Sequence, residues 1–223
     1  MSTPERFNDL FDCWSSTYDE TVAGGDAEYK EVFKHYDLIL QTIADRAYGH
    51  VIEFGIGTGN LTKKLLANRL DVTGIEPSKK MREIALQKLP NANIAKGNFL
   101  NFPPISEKVD TIVSSYAFHH LTDDEKEQAM RLYATLLNKG GKIVFGDTFF
   151  KDEQVRDQAY KHAKKQQKHR LAEDLNTEFY TTLPVMKSML AAHHFSFTFD
   201  QMNDYVWIME AVKEEDTNDD KLE

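Results

Sequence analysis

The chain is short of cysteine, of long apolar runs and of positive charge, and each shortage excludes a class of protein. Its single cysteine, Cys13, allows no internal disulfide, which is typical of a reducing compartment. No apolar run approaches the roughly 20 residues that a membrane-spanning helix needs. The first residues, MSTPERFNDLFDCW, lack the basic and apolar regions of a signal peptide. We therefore expect a cytoplasmic protein with no membrane partner.

The charge balance argues against a nucleic-acid partner. The formal net charge of the 223 residues is −9, and such a surface repels polyanions at long range. With 41% hydrophobic and 28% charged residues, the composition is that of an ordinary globular protein. The length favours one large domain, which we place at residues 1–212, followed by a flexible acidic tail at 213–223.

The hydrophobic pattern predicts an α/β fold with a mostly parallel seven-stranded sheet. Residues 1–48 are expected to form a helical lid, with a break at Gly24, Gly25 and Asp26 and an apolar face that includes Tyr29, Phe33 and Tyr36. Short strands at 50–54, 70–75, 93–95, 109–114 and 142–145 then alternate with helices, which is typical of parallel strands with crossover connections. A helical insertion follows at 151–193, helical first over 151–172. Strands at 195–199 and 205–212, joined by the two-residue turn Asn203-Asp204, should close an antiparallel C-terminal hairpin.

Two local signals bound the helix that precedes the fifth strand. Thr122 and Glu125 have the spacing of a capping box, which predicts a helix start. Gly140 and Gly141 are expected to end that helix at about Asn138.

The densest chemical signal is a glycine loop at the end of the first strand, where residues 51–60 read VIEFGIGTGN. Gly55, Gly57 and Gly59 let a ligand approach the backbone, because no side chain stands between. Nicotinamide-binding folds use a similar loop, but their third glycine falls one residue later, at the position of Asn60. Glu53, beside the loop, would repel a pyrophosphate and would suit a ligand with a sulfonium and an ammonium group. Glu76, which ends the second strand, can accept hydrogen bonds from ribose hydroxyls in either class.

With these residues placed, the sequence resembles the class I S-adenosylmethionine (SAM) methyltransferases, and most closely their YrrT-like bacterial branch. The resemblance implies a Rossmann-like fold, an enzyme that transfers a methyl group, and SAM as its cofactor. It assigns Glu53 and the three glycines to the cofactor loop, and Glu76, with Pro77 after it, to the ribose. Asn98 and Phe99 match the adenine position, where the family has Asp and an apolar residue; an amide oxygen can still accept that hydrogen bond. Ser115 belongs to the fourth-strand motif that faces the methyl donor, and Tyr18 to a segment that closes over the cofactor or packs as a helix aromatic.

The acceptor side is less well defined by the sequence. Tyr116, His119, His120 and Asp147 follow strands at the edge where ligands bind in such sheets. We predict His119 and Tyr116 as catalytic residues, because a histidine can exchange protons near neutral pH without a large shift in pKa. The alternative is that one histidine caps a helix while the other packs. No zinc spacing is recognisable, and adjacent pairs such as His119-His120 usually point apart, so we expect no metal.

These observations predict methyl transfer from SAM to a small-molecule acceptor by in-line displacement, in a monomer or a homodimer. Two other classes stay open. One is a SAM-binding module without turnover; the other is an NAD(P)-dependent oxidoreductase, which the glycine spacing and Glu53 disfavour. Methylation of RNA or protein is a variant of the first reading.

Overall fold

The computed structural model describes residue 12 and residues 14–214, and its core is a seven-stranded sheet. In chain order the strands are β1 (His50–Phe54), β2 (Asp71–Glu76), β3 (Asn93–Lys96), β4 (Val109–Ser115), β5 (Leu137–Thr148), β6 (Phe195–Gln201) and β7 (Val206–Lys213). Their spatial order is β3-β2-β1-β4-β5-β7-β6. β7 is antiparallel to both β5 and β6, and the other pairs are parallel. The predicted fold class and the C-terminal hairpin are therefore confirmed.

Helices cover both faces of this sheet. They are α1 (Tyr36–Arg46), α2 (Asn60–Ala67), α3 (Lys79–Lys88), α4 (Asp123–Leu136), α5 (Glu153–Lys165), α6 (His169–Thr177) and α7 (Leu183–Ala192). Ile52 and Phe54 of β1 pack into a core with α4 and α7, whereas Val51 packs into a second core with α1, α2 and α6. This alternation along one strand is what two covered faces require. None of the helices in the described part of the chain combines the length and apolar character that a membrane span needs.

The chain order places the site at a topological switch point. Consecutive strands run outward from β1 to β3, and the chain then returns to lay β4 on the other side of β1. Ligands bind at the carboxyl ends of parallel strands where the strand order reverses in this way. The glycine loop after β1, Glu76 at the end of β2, and the residues that follow β4 all lie at that edge.

The N-terminal segment is less helical than predicted. In the described part of residues 1–48 it forms short helical turns at Tyr18–Glu20 and Thr21–Gly25, and α1 begins only at Tyr36. His35, with φ 64°, separates the turns at Tyr29 and Phe33 from α1. The aromatic side chains still meet, because the ring centroid of Phe33 lies 5.9 Å from that of Tyr36 and 6.3 Å from that of Tyr29. Residues 1–11 and 13 of the predicted lid, and 215–223 of the predicted tail, lie outside the described residues.

Three predicted boundaries were wrong. The helix α4 begins at the Thr122–Glu125 capping box as expected but ends at Leu136. Gly140 and Gly141 lie within β5, whose pairing with β4 shifts register there, and Gly140 has φ +73°. The expected helix over 151–172 is divided into α5 and α6 at Gln167, which has φ 57°. The hairpin loop spans residues 202–205 rather than two residues, and the Asn203 carboxamide oxygen accepts from the backbone N–H groups that close it.

Candidate active site

A pocket opens at the carboxyl edge of β1, β2 and β4, under the N-terminal segment. It brings together most of the residues that the sequence predicted for the cofactor and acceptor. Glu53, Gly59 and His119 are not among the residues that line it. Its walls are Tyr18, Gly55, Gly57, Glu76, Pro77, Met81, Asn98, Phe99, Ser115, Tyr116, Ala117, His120 and Leu121.

The glycine loop needs glycine for two different reasons. Gly55, Gly57 and Gly59 have φ of +69°, +54° and +86°, in the left-handed region that side chains disfavour. A Cβ on Gly55 would also lie 2.7 Å from the Cβ of Ala117, so the loop after β4 closes against this position. A Cβ on Gly57 would meet nothing within 4 Å, because this residue faces the pocket. Gly59 precedes the first residue of α2 and shapes the turn rather than the pocket wall.

Glu76 joins the glycine loop to the start of α3. Its Oε2 accepts from the Gly57 N–H at 2.9 Å, and its Oε1 accepts from the Ser78 N–H at 2.8 Å. Burial raises the pKa of Glu76 to about 7, although both of these hydrogen bonds act against that shift. A buried carboxyl in the pocket wall, held between two backbone groups, is a strong acceptor for a hydroxyl donor.

Glu53 occupies a different place from the one predicted. It is only 1% exposed and lies behind the loop, where its Oε2 accepts from the Thr62 hydroxyl at 2.6 Å. Burial raises its pKa to about 8, and the nearby Glu76 adds to that rise. Glu53 therefore connects β1 to α2, and the pocket is not within its direct reach in this geometry.

The expected adenine end of the pocket also differs in detail. The Asn98 Oδ1 already accepts from the backbone N–H groups of Leu100 at 3.0 Å and Asn101 at 2.8 Å. Both lone pairs of this oxygen are engaged, so the predicted hydrogen bond from an adenine amino group to it is unsupported. Phe99 lines the pocket and also stacks on Phe54 with ring centroids 5.5 Å apart. It serves as both core and pocket wall.

The segment after β4 makes a sharp turn that is fixed by one carboxylate. Asp147 of β5 accepts at Oδ2 from the backbone N–H groups of Ala117, Phe118 and His119, at 3.0, 2.6 and 3.3 Å. A carboxylate at the N-terminus of the 3-10 turn Phe118–His120 satisfies the donors that such a turn leaves unpaired. Just before it, Tyr116 has φ 52°, which bends the chain out of β4.

The surroundings of His119, predicted as a catalytic residue on the acceptor side, argue against proton exchange near neutral pH. Its Nδ1 lies 2.6 Å from the Asp147 Oδ1 and its Nε2 lies 3.2 Å from the Glu178 Oε2, and its ring stacks on Tyr180. Burial alone would lower its pKa, but the two carboxylates outweigh burial and raise it to about 10. His119 is therefore a charged imidazolium at neutral pH, and it cannot accept a proton there.

The neighbouring histidine lines the pocket instead. The ring centroid of His120 lies 4.1 Å from that of His119, and its Nδ1 lies 3.6 Å from the Glu178 Oε1. Burial and the charge on His119 lower its pKa, so it is neutral. The sequence named His120 among its candidates but did not choose it. It missed Glu178 and Tyr180 altogether, because they follow α6 and nothing in their spacing connects them to the residues after β4.

Tyr116 and the N-terminal segment form the roof of the pocket. The ring centroid of Tyr116 lies 5.1 Å from that of Phe33 and 5.4 Å from that of Tyr36. Its hydroxyl is buried and has no hydrogen-bond partner in the described part of the chain. Asp19, next to Tyr18, accepts at Oδ1 from the Thr58 hydroxyl at 2.7 Å, which holds the roof on the glycine loop.

Comparison with known proteins identifies the family. Residues 51–141 match the model of a methyltransferase domain. A relative from Bacillus thuringiensis (strain Al Hakam), described as an uncharacterized methyltransferase, is 53% identical over 94% of this chain and 99% of its own length. A relative from Bacillus cytotoxicus with a similar description is 52% identical over the same shares. The chain belongs to this methyltransferase family. Its assignment to the YrrT-like branch stays a prediction.

Solved structures with low sequence identity have the same fold. Magnesium protoporphyrin IX methyltransferase from Synechocystis PCC 6803, solved with bound SAM, aligns with a TM-score of 0.69 at 15% identity, covering 96% of this chain and 98% of its own. A SAM-dependent methyltransferase from Thermotoga maritima, described as a possible histamine N-methyltransferase, aligns with a TM-score of 0.66 at 16% identity, covering 94% and 100%. The fold of this methyltransferase is therefore the class I, Rossmann-like fold of the SAM-dependent enzymes.

Proposed function

We propose that this methyltransferase binds SAM in the pocket over the glycine loop and transfers its methyl group to a small-molecule acceptor. The observation that carries the proposal is the convergence of Gly55, Gly57, Glu76 and Asn98 on one cavity at the switch point of the sheet. These residues come from the ends of three different strands, and a turn built only for folding would not need them together.

The described residues fit the chemistry of SAM. Gly57 offers an open backbone position without a side chain, and Glu76 presents a buried carboxyl to hydroxyl groups in the pocket. Phe99, Met81 and Pro77 supply an apolar wall suited to a flat heterocycle. The Glu76 carboxyl in the pocket wall also favours a cationic ligand over a pyrophosphate, which argues against a nicotinamide cofactor.

The reaction needs positioning more than acid–base chemistry. SAM supplies a methyl group on a sulfonium, which is already a good leaving group, so alignment of the acceptor behind the S–CH3 bond provides most of the acceleration. Because His119 is charged and paired, we assign the acceptor side to Tyr116 and His120. Both line the pocket, the first with a hydroxyl that has no hydrogen-bond partner among the described residues and the second with a neutral imidazole. Either can hold an acceptor hydroxyl, amine or thiol by a hydrogen bond.

A small acceptor is the class that best suits this site. Among the described residues, Tyr18 and Tyr116 line the pocket and aromatic rings pack over it, and this covered shape suits a small acceptor better than a polymer. The net charge of −9 disfavours a nucleic acid. The two solved proteins of the same fold are described as a methyltransferase of magnesium protoporphyrin IX and a possible methyltransferase of histamine, and both of these acceptors are small molecules.

The test is calorimetric titration of the purified protein with SAM, S-adenosylhomocysteine, NAD and NADP. We expect saturable binding of the first two only, and its loss in Gly57→Arg, which fills the open position in the pocket. Gly140→Arg is the matched control, because Gly140 also has positive φ and no atom within 4 Å of an added Cβ, but lies in β5 away from the pocket. Binding of a nicotinamide cofactor would overturn the proposal. SAM binding without transfer in a broad metabolite screen would favour a binding module.

A further inference from the structure

We propose that His119, His120 and Glu178 form a site for a divalent transition-metal ion of the Zn²⁺ type, beside the methyl-transfer pocket. Each residue can offer one ligand atom, and these atoms all lie within 4.8 Å of one another. Two imidazoles and one carboxylate are a donor set that zinc uses in catalytic sites with one open position. The expectation of no metal rested on adjacent histidines pointing apart, and the 3-10 turn removes that premise by bringing the two rings together.

Two distances between candidate ligand atoms are close to those between neighbouring ligands of a tetrahedral zinc ion. Zn²⁺ bonds of about 2.0–2.1 Å in tetrahedral geometry place neighbouring ligand atoms about 3.3–3.4 Å apart. Here the His119 Nε2 lies 3.2 Å from the Glu178 Oε2, and the His120 Nδ1 lies 3.6 Å from the Glu178 Oε1. The third pair, the two histidine nitrogens, lies within 4.8 Å, so seating one ion requires the side chains to move together by up to about an ångström.

The surrounding residues orient two of the three ligands. The Asp147 carboxylate holds the His119 Nδ1 at 2.6 Å, which directs Nε2 toward Glu178. The Tyr180 hydroxyl donates to the Glu178 Oε2 at 2.6 Å. A carboxylate behind a histidine ligand is the usual support of zinc sites, because it fixes the ring and raises the basicity of the ligating nitrogen.

The charges that face the site also suit a divalent ion. Asp147 and Glu178 supply two negative charges, and an ion with two positive charges balances them when both histidines bind in neutral form. Asp174 of α6 adds acidic character near Glu178. A cation of the described residues, Lys126, lies nearby, and its ammonium donates to the backbone carbonyl of Phe179 at 2.6 Å, which holds it there.

The position of His120 in the pocket wall indicates a role for the ion. An open coordination position on that side would face the acceptor, and a coordinated hydroxyl or thiol would lose its proton to solvent more readily. The methyl group of SAM would then move to that oxygen or sulfur and leave S-adenosylhomocysteine. This role rests on the proposed function, whereas the binding of the ion does not.

The test uses the full chain, without a histidine tag and freed of metal by a chelator, titrated with ZnCl₂ and, separately, with CoCl₂. We expect one zinc ion per chain by calorimetry and visible cobalt absorption bands of a tetrahedral site. His120→Ala and Glu178→Gln should each weaken zinc binding at least tenfold, and Asp147→Asn, behind the ligand, roughly 10- to 100-fold. The matched control is His193→Ala, which should leave binding unchanged, because His193 has a similar contact with Glu127 at 2.6 Å but belongs to no cluster of three ligands among the described residues.

The outcomes separate this inference from the proposed function. No zinc binding beyond that of His120→Ala, or equal binding in all four variants, would overturn it. Circular dichroism of each variant identifies any that fails to fold, and Glu178→Gln, which keeps the shape of the side chain, then decides the question. SAM is titrated into the same metal-free protein. If the wild-type protein binds SAM but not zinc, the metal site alone is refuted. If it binds zinc but not SAM, the SAM proposal alone is refuted.

Discussion

Replacing the buried acid behind the glycine loop should stabilise the protein at alkaline pH and not at acid pH. Glu53 is 1% exposed, and its carboxyl accepts a hydrogen bond from the Thr62 hydroxyl. A glutamine in its place keeps an oxygen that can accept this bond, has nearly the same volume, and carries no charge. The substitution Glu53→Gln therefore removes the cost of burying a carboxylate while leaving the packing as it is.

The size of the effect follows from proton linkage. Burial raises the pKa of Glu53 from 4.5 to about 8, so the folded state holds a proton that the unfolded state has lost between these pH values. The contribution of Glu53 to wild-type stability should thus be greatest below about pH 4.5, fall as the pH rises, and level off above about pH 8. The full difference in pKa corresponds to about 5 kcal/mol. Because Glu76 titrates nearby and local relaxation relieves part of the cost, we expect a difference on the order of 2–5 kcal/mol between variant and wild type at pH 9.

The assay is urea unfolding of the wild type and of Glu53→Gln at pH 5 and pH 9, with the free energy of unfolding compared at each pH. Glu83→Gln is the control, because the Glu83 side chain is more than half exposed on α3 and pairs with Lys79 in the same helix. It should change little at either pH. An equal effect of Glu53→Gln at both pH values would refute the reasoning, since it would mean that the carboxyl is not neutral in the folded protein.

Three further predictions concern the loop, the roof and a helix end. Gly55→Ala should lower the free energy of unfolding by roughly 1–3 kcal/mol, because the new Cβ would lie 2.7 Å from that of Ala117 and the backbone has a φ of +69°. Thermal unfolding measures this loss against the control Gly140→Ala, where the φ is also positive but the new Cβ has no close contact. Tyr116→Phe should leave the free energy of unfolding unchanged or raise it by about 1 kcal/mol, because the lost hydroxyl has no hydrogen-bond partner among the described residues. Methyl transfer should slow in this variant, and an unchanged rate would show that Tyr116 does not hold the acceptor. Thr122→Ala should cost about 1 kcal/mol by breaking the capping box and leave SAM affinity unaltered, as urea unfolding and calorimetry would measure.

The features of the fold that depend on local pattern could be predicted from the sequence. Strands buried on both faces appear as short apolar runs. The capping box of Thr122 and Glu125 predicts the start of α4 from four residues. The end of α4 could not be predicted in the same way. Gly140 and Gly141 are typical helix terminators, but here they accommodate a change of register between β4 and β5, and that pairing is a long-range property. The split of the predicted helix at Gln167 has the same character, because no glycine or proline marks it.

The meeting of the glycine loop with Glu76 could be predicted from the sequence, because one continuous loop sets the backbone geometry there. Gly57 and Glu76 need only their places at the ends of adjacent strands to meet. Burial, however, decides what a carboxyl does, and the sequence does not state it. Glu53 was expected to face a ligand, yet the first turn of α2 brings the Thr62 hydroxyl against it and turns it away from the pocket.

The acceptor side shows why adjacent histidines were misjudged. On a regular strand His119 and His120 would point to opposite faces. Tyr116, with φ 52°, ends the strand, and Asp147 binds three backbone N–H groups of the following turn, so both rings emerge on one side. The chain after α6 then brings Glu178 between them. The same carboxylate pair that makes His119 unfit as a base gives it the orientation of a ligand. The role of this cluster therefore turns on what replaces the proton on His119 Nε2, and a metal titration can measure that directly.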